Sequence, residues 1–233
     1  MAAPAGDGAL GREAGAAVPP RVPTQAVRRS SVRGQVLAAL RAALLDGELA
    51  AGEVYSAPGI GRRLGVSATP VREAMQQLAA EGAVEVVPNR GYRIAAPGER
   101  ELADLAEVRL LIEVPVLLRL ARTVPARAWA ELRPAAEATA LAATRGDRVR
   151  YAEADLAFHR AVLALCGNDQ LVRTAQELHR RAQWPPGSVR AELLADAAQH
   201  SALLDALSEG DTARVEAVAR HHVEPRPARR PRP

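Results

Sequence analysis

Three stretches of this chain place ionisable residues where an apolar stripe would be expected. Asp155, His159, Val162 and Cys166 recur at helical spacing, so a carboxyl and an imidazole share one face. His200 falls on a second stripe with Leu193, Ala197, Leu204 and Leu207, and His222 on a third with Val215, Val218 and Ala219. A buried polar group is costly unless it is paired. Each histidine could meet that cost alone, as a hydrogen-bonded core residue. All four groups could also meet it together by converging on one cation, and three imidazoles with a carboxylate suit a first-row divalent ion. Spacing leaves both readings open.

A second chemistry is carried by GIGRRLGVSATPVREAMQQLAAEGAV. Gly65 punctuates it, Ser67 or Thr69 can cap the following helix, and Pro70 fits within a first turn. Val71, Met75, Leu78, Ala79 and Gly82 make one apolar stripe, which leaves Thr69, Arg72 and Gln76 on the other side. A recognition helix reads base edges in the major groove from its N-terminal end. Arg72 suits guanine O6 and N7, and Gln76 suits adenine or a phosphate. The bland alternative is a surface helix with one Arg. Downstream, Val84 to Val87 and Tyr92 to Ile94 flank Pro88-Asn89-Arg90-Gly91, the pattern of a hairpin whose tip offers Arg90 and Gly91 to a DNA backbone or minor groove.

Arg109 is a third unusual placement, on the stripe Leu102, Leu105, Ala106, Ile112 and Val116. It could clamp a carboxylate effector, pair with Glu113, or sit at a domain interface. Pro115 is expected to kink this helix one turn later. His221 and His179, the latter in QELHRR, read as outward-facing.

These residues need two kinds of scaffold. Val32, Val36, Leu40 and Leu44 predict a first helix, followed by two shorter ones and the hairpin, the outline of a winged helix-turn-helix over 24–97. From 98 to 223 no strand signal occurs, and helices are expected near 99–122, 125–145, 148–166, 169–183, 188–209 and 211–223, with Pro185-Pro186-Gly187 as one break. The fold class is therefore mainly α: an N-terminal winged helix-turn-helix plus a C-terminal all-α helical bundle. Residues 1–23 and the basic 224–233 read as disordered tails. Segment 24–97 holds nine Arg and six acidic residues and 98–223 sixteen Arg and eighteen acids, which suggests a nucleic-acid module on a neutral body. There is no Lys, so all 31 basic residues are Arg. Aromatics at 3% disfavour stacking on single strands. The lone Cys166 excludes an intramolecular disulfide, and neither a membrane span nor a signal peptide is read. A cytoplasmic protein is expected.

GVSATPVREAM, LAAEGAV and PNRGYRI, with LRAALLDGELAAGE upstream, resemble the winged-helix domain of GntR-type transcriptional regulators. DLAFH, QHSALLDAL and GDTARVEAVARHHV resemble segments of the FCD domain, the helical effector-binding part of the FadR branch. This resemblance implies DNA contacts at Ser67, Thr69, Arg72, Arg90 and Gly91, with Gln76 added from its position. It implies metal ligands at Asp155, His159, His200 and His222, with zinc favoured over nickel or manganese. Arg109, in EVRLLIE, and Asn168, in LCGNDQL, become candidate effector contacts, although capping is the simpler role for Asn168. The implied function is a homodimeric repressor on an inverted-repeat operator of double-stranded DNA. A small organic-acid effector at the metal site would release it. It would not be an enzyme and would have no membrane partner. The rival readings are a metal-dependent enzyme acting on a small carboxylate and an effector-independent DNA-binding protein. The chain departs from the family at Ala68, where Arg is usual, and at Pro58 and Gly59. Gly59 and Gly61 each cost a helix interior roughly 1 kcal/mol relative to Ala. A relaxed or altered operator is expected.

Overall fold

Val36, Leu40 and Leu44 are buried on one face of α1 (Val32–Leu45), the stripe that their spacing demands. A computed structural model describes residues 32–183 and 190–224. The two tails, apart from Glu224, and the Pro185-Pro186-Gly187 break lie outside the described residues. After α1 come strand β1 (Val54–Tyr55) and helices α2 (Ala57–Leu64) and α3 (Ala68–Ala80). Strands β2 (Val84–Val87) and β3 (Gly91–Ile94) complete a small antiparallel sheet in the order β1-β3-β2. The hairpin matches the sequence reading. Strand β1 was not anticipated, since two residues carry no periodicity.

Val71, Ala74, Met75 and Leu78 of α3 are fully buried against α1, α2 and the sheet. Pro58 costs α2 no hydrogen bond because it sits in the first turn, where Ser56 accepts from the Gly59 N–H. Gly61 serves packing: a Cβ there would stand 2.7 Å from the Val66 carbonyl oxygen, where the α2–α3 turn passes. Pro58, Gly59 and Gly61 thus lie within a continuous α2, and Ala68 opens α3, so the helix-turn-helix forms across all of them.

The second half contains α4 (Glu99–Thr123), α5 (Ala126–Ala130), α6 (Arg133–Arg145), α7 (Arg148–Ala164), α8 (Asp169–Ala182), α9 (Arg190–Glu209) and α10 (Thr212–Val223). The fold is mainly α as expected, with two corrections. The helix expected over 125–145 is interrupted at Glu131 and Leu132, where Pro134 begins a new helix at its first turn. Helix α4 runs unbroken through Pro115. Pro115 is exposed, and so is Leu111, whose carbonyl loses its helical partner and can turn to water. Trp129, Phe158, Leu204 and Leu207 centre the bundle core, with α6, α7 and α9 packed together and α10 against α4 and α9.

Candidate functional site

The first surface of interest is the N-terminal end of α3. Ser67 is its N-cap by backbone conformation, yet its hydroxyl makes no capping bond. Ser67, Thr69, Arg72 and Gln76 are all exposed there, and Arg90 is exposed at the hairpin tip. Gly91 has a different task. At φ 134° its Cβ position lies 2.3 Å from the Tyr55 carbonyl oxygen, so only glycine lets β3 close against β1. Asn89 takes the left-handed turn position at φ 57°.

The second site lies inside the bundle. Asp155 and His159 are one turn apart on α7, His200 is on α9 and His222 on α10. Each offers one ligand atom, and these atoms all lie within 4.8 Å of one another. His159 Nε2 faces His222 Nε2 at 2.9 Å. His200 Nε2 comes within 3.1 Å of Asp155 Oδ1 without the alignment of a hydrogen bond, and it is left with no partner. The fold thus joins three histidines and a carboxylate from separate helices.

The outer contacts set the tautomers. Thr139 Oγ1 donates to the Ala136 carbonyl at 2.7 Å, so it must accept from His200 Nδ1–H at 3.0 Å. His222 Nδ1–H donates to Gln199 Oε1 at 3.0 Å. With Nδ1 protonated in both rings, the Nε2 lone pairs turn toward the cluster. Burial, then the neighbouring His179, pushes His159 down to about 4. Burial, then His159 and His200, lowers His222 well below the usual histidine range. His159 and His222 are therefore neutral, the form that binds metal. Burial alone would raise Asp155. The neighbouring His179, through its charge and its hydrogen bond, and the close approach of His159 and His200 outweigh it and hold the carboxyl well below its ordinary value. An ionised carboxylate, neutral imidazoles and an unpartnered buried Nε2 are a donor set that fits a divalent cation.

Beside the cluster is a cavity of about 10 Å³, room for one water-sized group. His159, His222 and Glu113 line it together with Leu117, Val162 and Leu203. Arg109 and Glu113 are buried, at 6% and 4% exposure, and Arg109 Nε donates to Glu113 Oε1 at 2.8 Å. Of the three roles open to Arg109, the pairing with Glu113 is formed. Its Nη2 is nonetheless buried without a partner, and its charge contributes to lowering His179 and His222. Asn168 is exposed and caps α8, accepting from the Gln170 and Leu171 N–H groups.

His179 corrects the sequence reading. It is buried at 4% exposure, and its Nε2 bonds Asp155 Oδ2 at 2.6 Å. The arginines that follow it suggested surface. The signal was present in Val172, Ala175, His179 and Gln183, spaced like the other three stripes. His221, by contrast, does face outward.

Comparison with known proteins gives two adjoining matches. Residues 32–94 match the model described as bacterial regulatory proteins, gntR family, and residues 104–225 match the FCD domain. A probable D-xylose utilization operon transcriptional repressor of Paenarthrobacter nicotinovorans is 32% identical over 84% of this chain and 87% of its own. The HTH-type transcriptional repressor GlaR of Escherichia coli strain K12 is 34% identical over 69% of this chain and 78% of its own. Among solved structures, E. coli McbR/YncC shares the fold with a TM-score of 0.62 at 23% identity, covering 83% of this chain and 93% of that one.

Proposed function

Because the chain belongs to the GntR family of bacterial regulatory proteins and carries an FCD domain, we propose that it is a repressor whose operator binding is set by a small organic acid at a metal site in the bundle. It is a DNA-binding regulator of transcription and not an enzyme. The protein acts as a homodimer, two winged helices meeting an inverted repeat of double-stranded DNA. Ser67, Thr69, Arg72 and Gln76 enter the major groove, and Arg90 meets the backbone or minor groove while Gly91 shapes the tip that carries it.

Asp155, His159, His200 and His222 would hold the ion, zinc first among the candidates. The bound metal supplies a Lewis-acidic point for a carboxylate. The buried, unpartnered Nη2 of Arg109 offers a second point for the same anion. Asn168 does not enter this reading, since its side chain is engaged in capping. The single observation that carries the proposal is the set of outer hydrogen bonds to Thr139 and Gln199, which leaves the Nε2 atoms of two imidazoles free on the side where Asp155 and His159 gather.

Space supplies the coupling. An effector larger than the cavity must displace the walls contributed by α4, α7, α9 or α10. Helix α4 starts only a few residues after β3, so movement of its N-terminal part reaches the wing directly. Effector and operator then oppose each other reciprocally.

Selection of duplexes from a random-sequence DNA pool tests the proposal. The purified zinc-loaded protein should enrich an inverted repeat, and organic acids should release that duplex. No enrichment at low salt with zinc present defeats the operator reading. Enrichment that ignores both chelator and every organic acid defeats the effector reading.

A further inference from the structure

The four-residue donor set leaves two polar residues of the bundle unexplained, both on α8 and its C-cap. His179 Nε2 bonds Asp155 Oδ2 at 2.6 Å, and Gln183 Nε2 donates to the same oxygen at 2.8 Å. Gln183 Nε2 also donates to the Ala152 carbonyl at 3.2 Å. Reversing that amide would turn an oxygen toward two acceptors, so its orientation is determined. The other carboxylate oxygen, Oδ1, faces His200 Nε2 at 3.1 Å and His159 Nε2 at 3.5 Å.

We infer that His179 and Gln183 are positioning residues that hold Asp155 as a one-oxygen metal ligand. This rests on the metal reading above and adds to it. Two donors occupy Oδ2, so rotation of the carboxylate to bring both oxygens to an ion would break two hydrogen bonds. Oδ1 is thereby reserved for the cluster. His179 itself is outside the group of mutually close ligand atoms. Its Nδ1 is buried without a hydrogen-bond partner. Leaving that group unsatisfied costs stability. A larger apolar side chain would fill the position without that cost, so packing alone does not account for a histidine here. Contacts of this kind around metal ligands govern affinity by about 10- to 100-fold.

Zinc affinity of the full chain, measured by competition with a chromophoric chelator, tests the inference alongside the visible spectrum of the cobalt-substituted protein. His179→Phe and Gln183→Leu should each weaken zinc binding by about 10- to 100-fold and alter the cobalt spectrum. His179→Gln, which keeps an N–H donor, should recover part of the loss. His200→Ala should abolish binding. Circular dichroism checks that each variant is folded. Gln183 is only half-buried, so Gln183→Leu decides the matter if His179→Phe does not fold. Unchanged zinc affinity and cobalt spectrum in the variants overturn the inference. So does a loss in His179→Phe as complete as in His200→Ala, which would make His179 a ligand. Absence of zinc from the wild-type protein defeats the metal reading itself, a separate and distinguishable failure.

Discussion

The two halves of this protein expose their functional residues in opposite ways. On α3, Ser67, Thr69, Arg72 and Gln76 stand in solvent on a helix whose other face is fully buried. In the bundle, Asp155, His159, His179 and His200 are buried, with His179 bonded to Asp155 and His200 to Thr139, while the half-buried His222 joins them through His159 and Gln199. A surface that meets a partner from outside can keep its scaffold and its recognition separate. A site enclosed by five helices cannot, because the polar groups that would meet a ligand are also part of the packing that holds the helices together. Substitutions should therefore separate stability from function in the first half and merge them in the second.

The largest effect expected is from His200→Ala. It removes a proposed ligand, opens a cavity and strips Thr139 of its acceptor role. Loss of metal should accompany destabilisation of about 2–5 kcal/mol, read by metal analysis and denaturant unfolding. A stable, metal-replete variant would break the comparison. Next is Gly91→Ala, where the wing's own scaffold is attacked. The added methyl meets the Tyr55 carbonyl at a φ that disfavours it, and operator binding should fall together with thermal stability of the winged domain. If binding alone falls, Gly91 acts at the DNA and the structural account is wrong.

Arg72→Ala should cost about 1–3 kcal/mol of operator affinity while changing unfolding free energy by less than about 0.5 kcal/mol. Titration of the selected duplex and a urea melt measure the two. Equal losses in both would erase the distinction between the halves. Ala68→Arg restores the residue usual in the family and should sharpen discrimination among variants of the selected duplex. An unchanged specificity profile would show that the departure at Ala68 is without consequence. The smallest effect is that of Asn168→Ala, about 1 kcal/mol of stability through the lost cap, with effector release unchanged in a DNA-binding assay. Loss of effector response there would return Asn168 to the ligand site.

Much of this was legible in residue order because amphipathic helices carry their orientation in their period. Asp155 and His159 share a face whenever that helix forms, and the same holds for Arg72 and Gln76. The helix-turn-helix is built from local signals: the glycine at 65, the buried stripe of α3 and the hairpin turn. His179 shows the limit of reading local context, since adjacent arginines masked a stripe that only its period revealed. Strand β1 shows another, because a two-residue strand exists only through its pairing with β3. Periodicity decides which way each side chain faces relative to its own helix, and this sequence carries that information in full. Whether Asp155, His159, His200 and His222 meet at one point, which carboxylate oxygen remains free, and whether Arg109 is satisfied depend on distances between helices far apart in the chain. Those distances follow from how the faces of α4, α7, α8, α9 and α10 interlock, which no local pattern encodes.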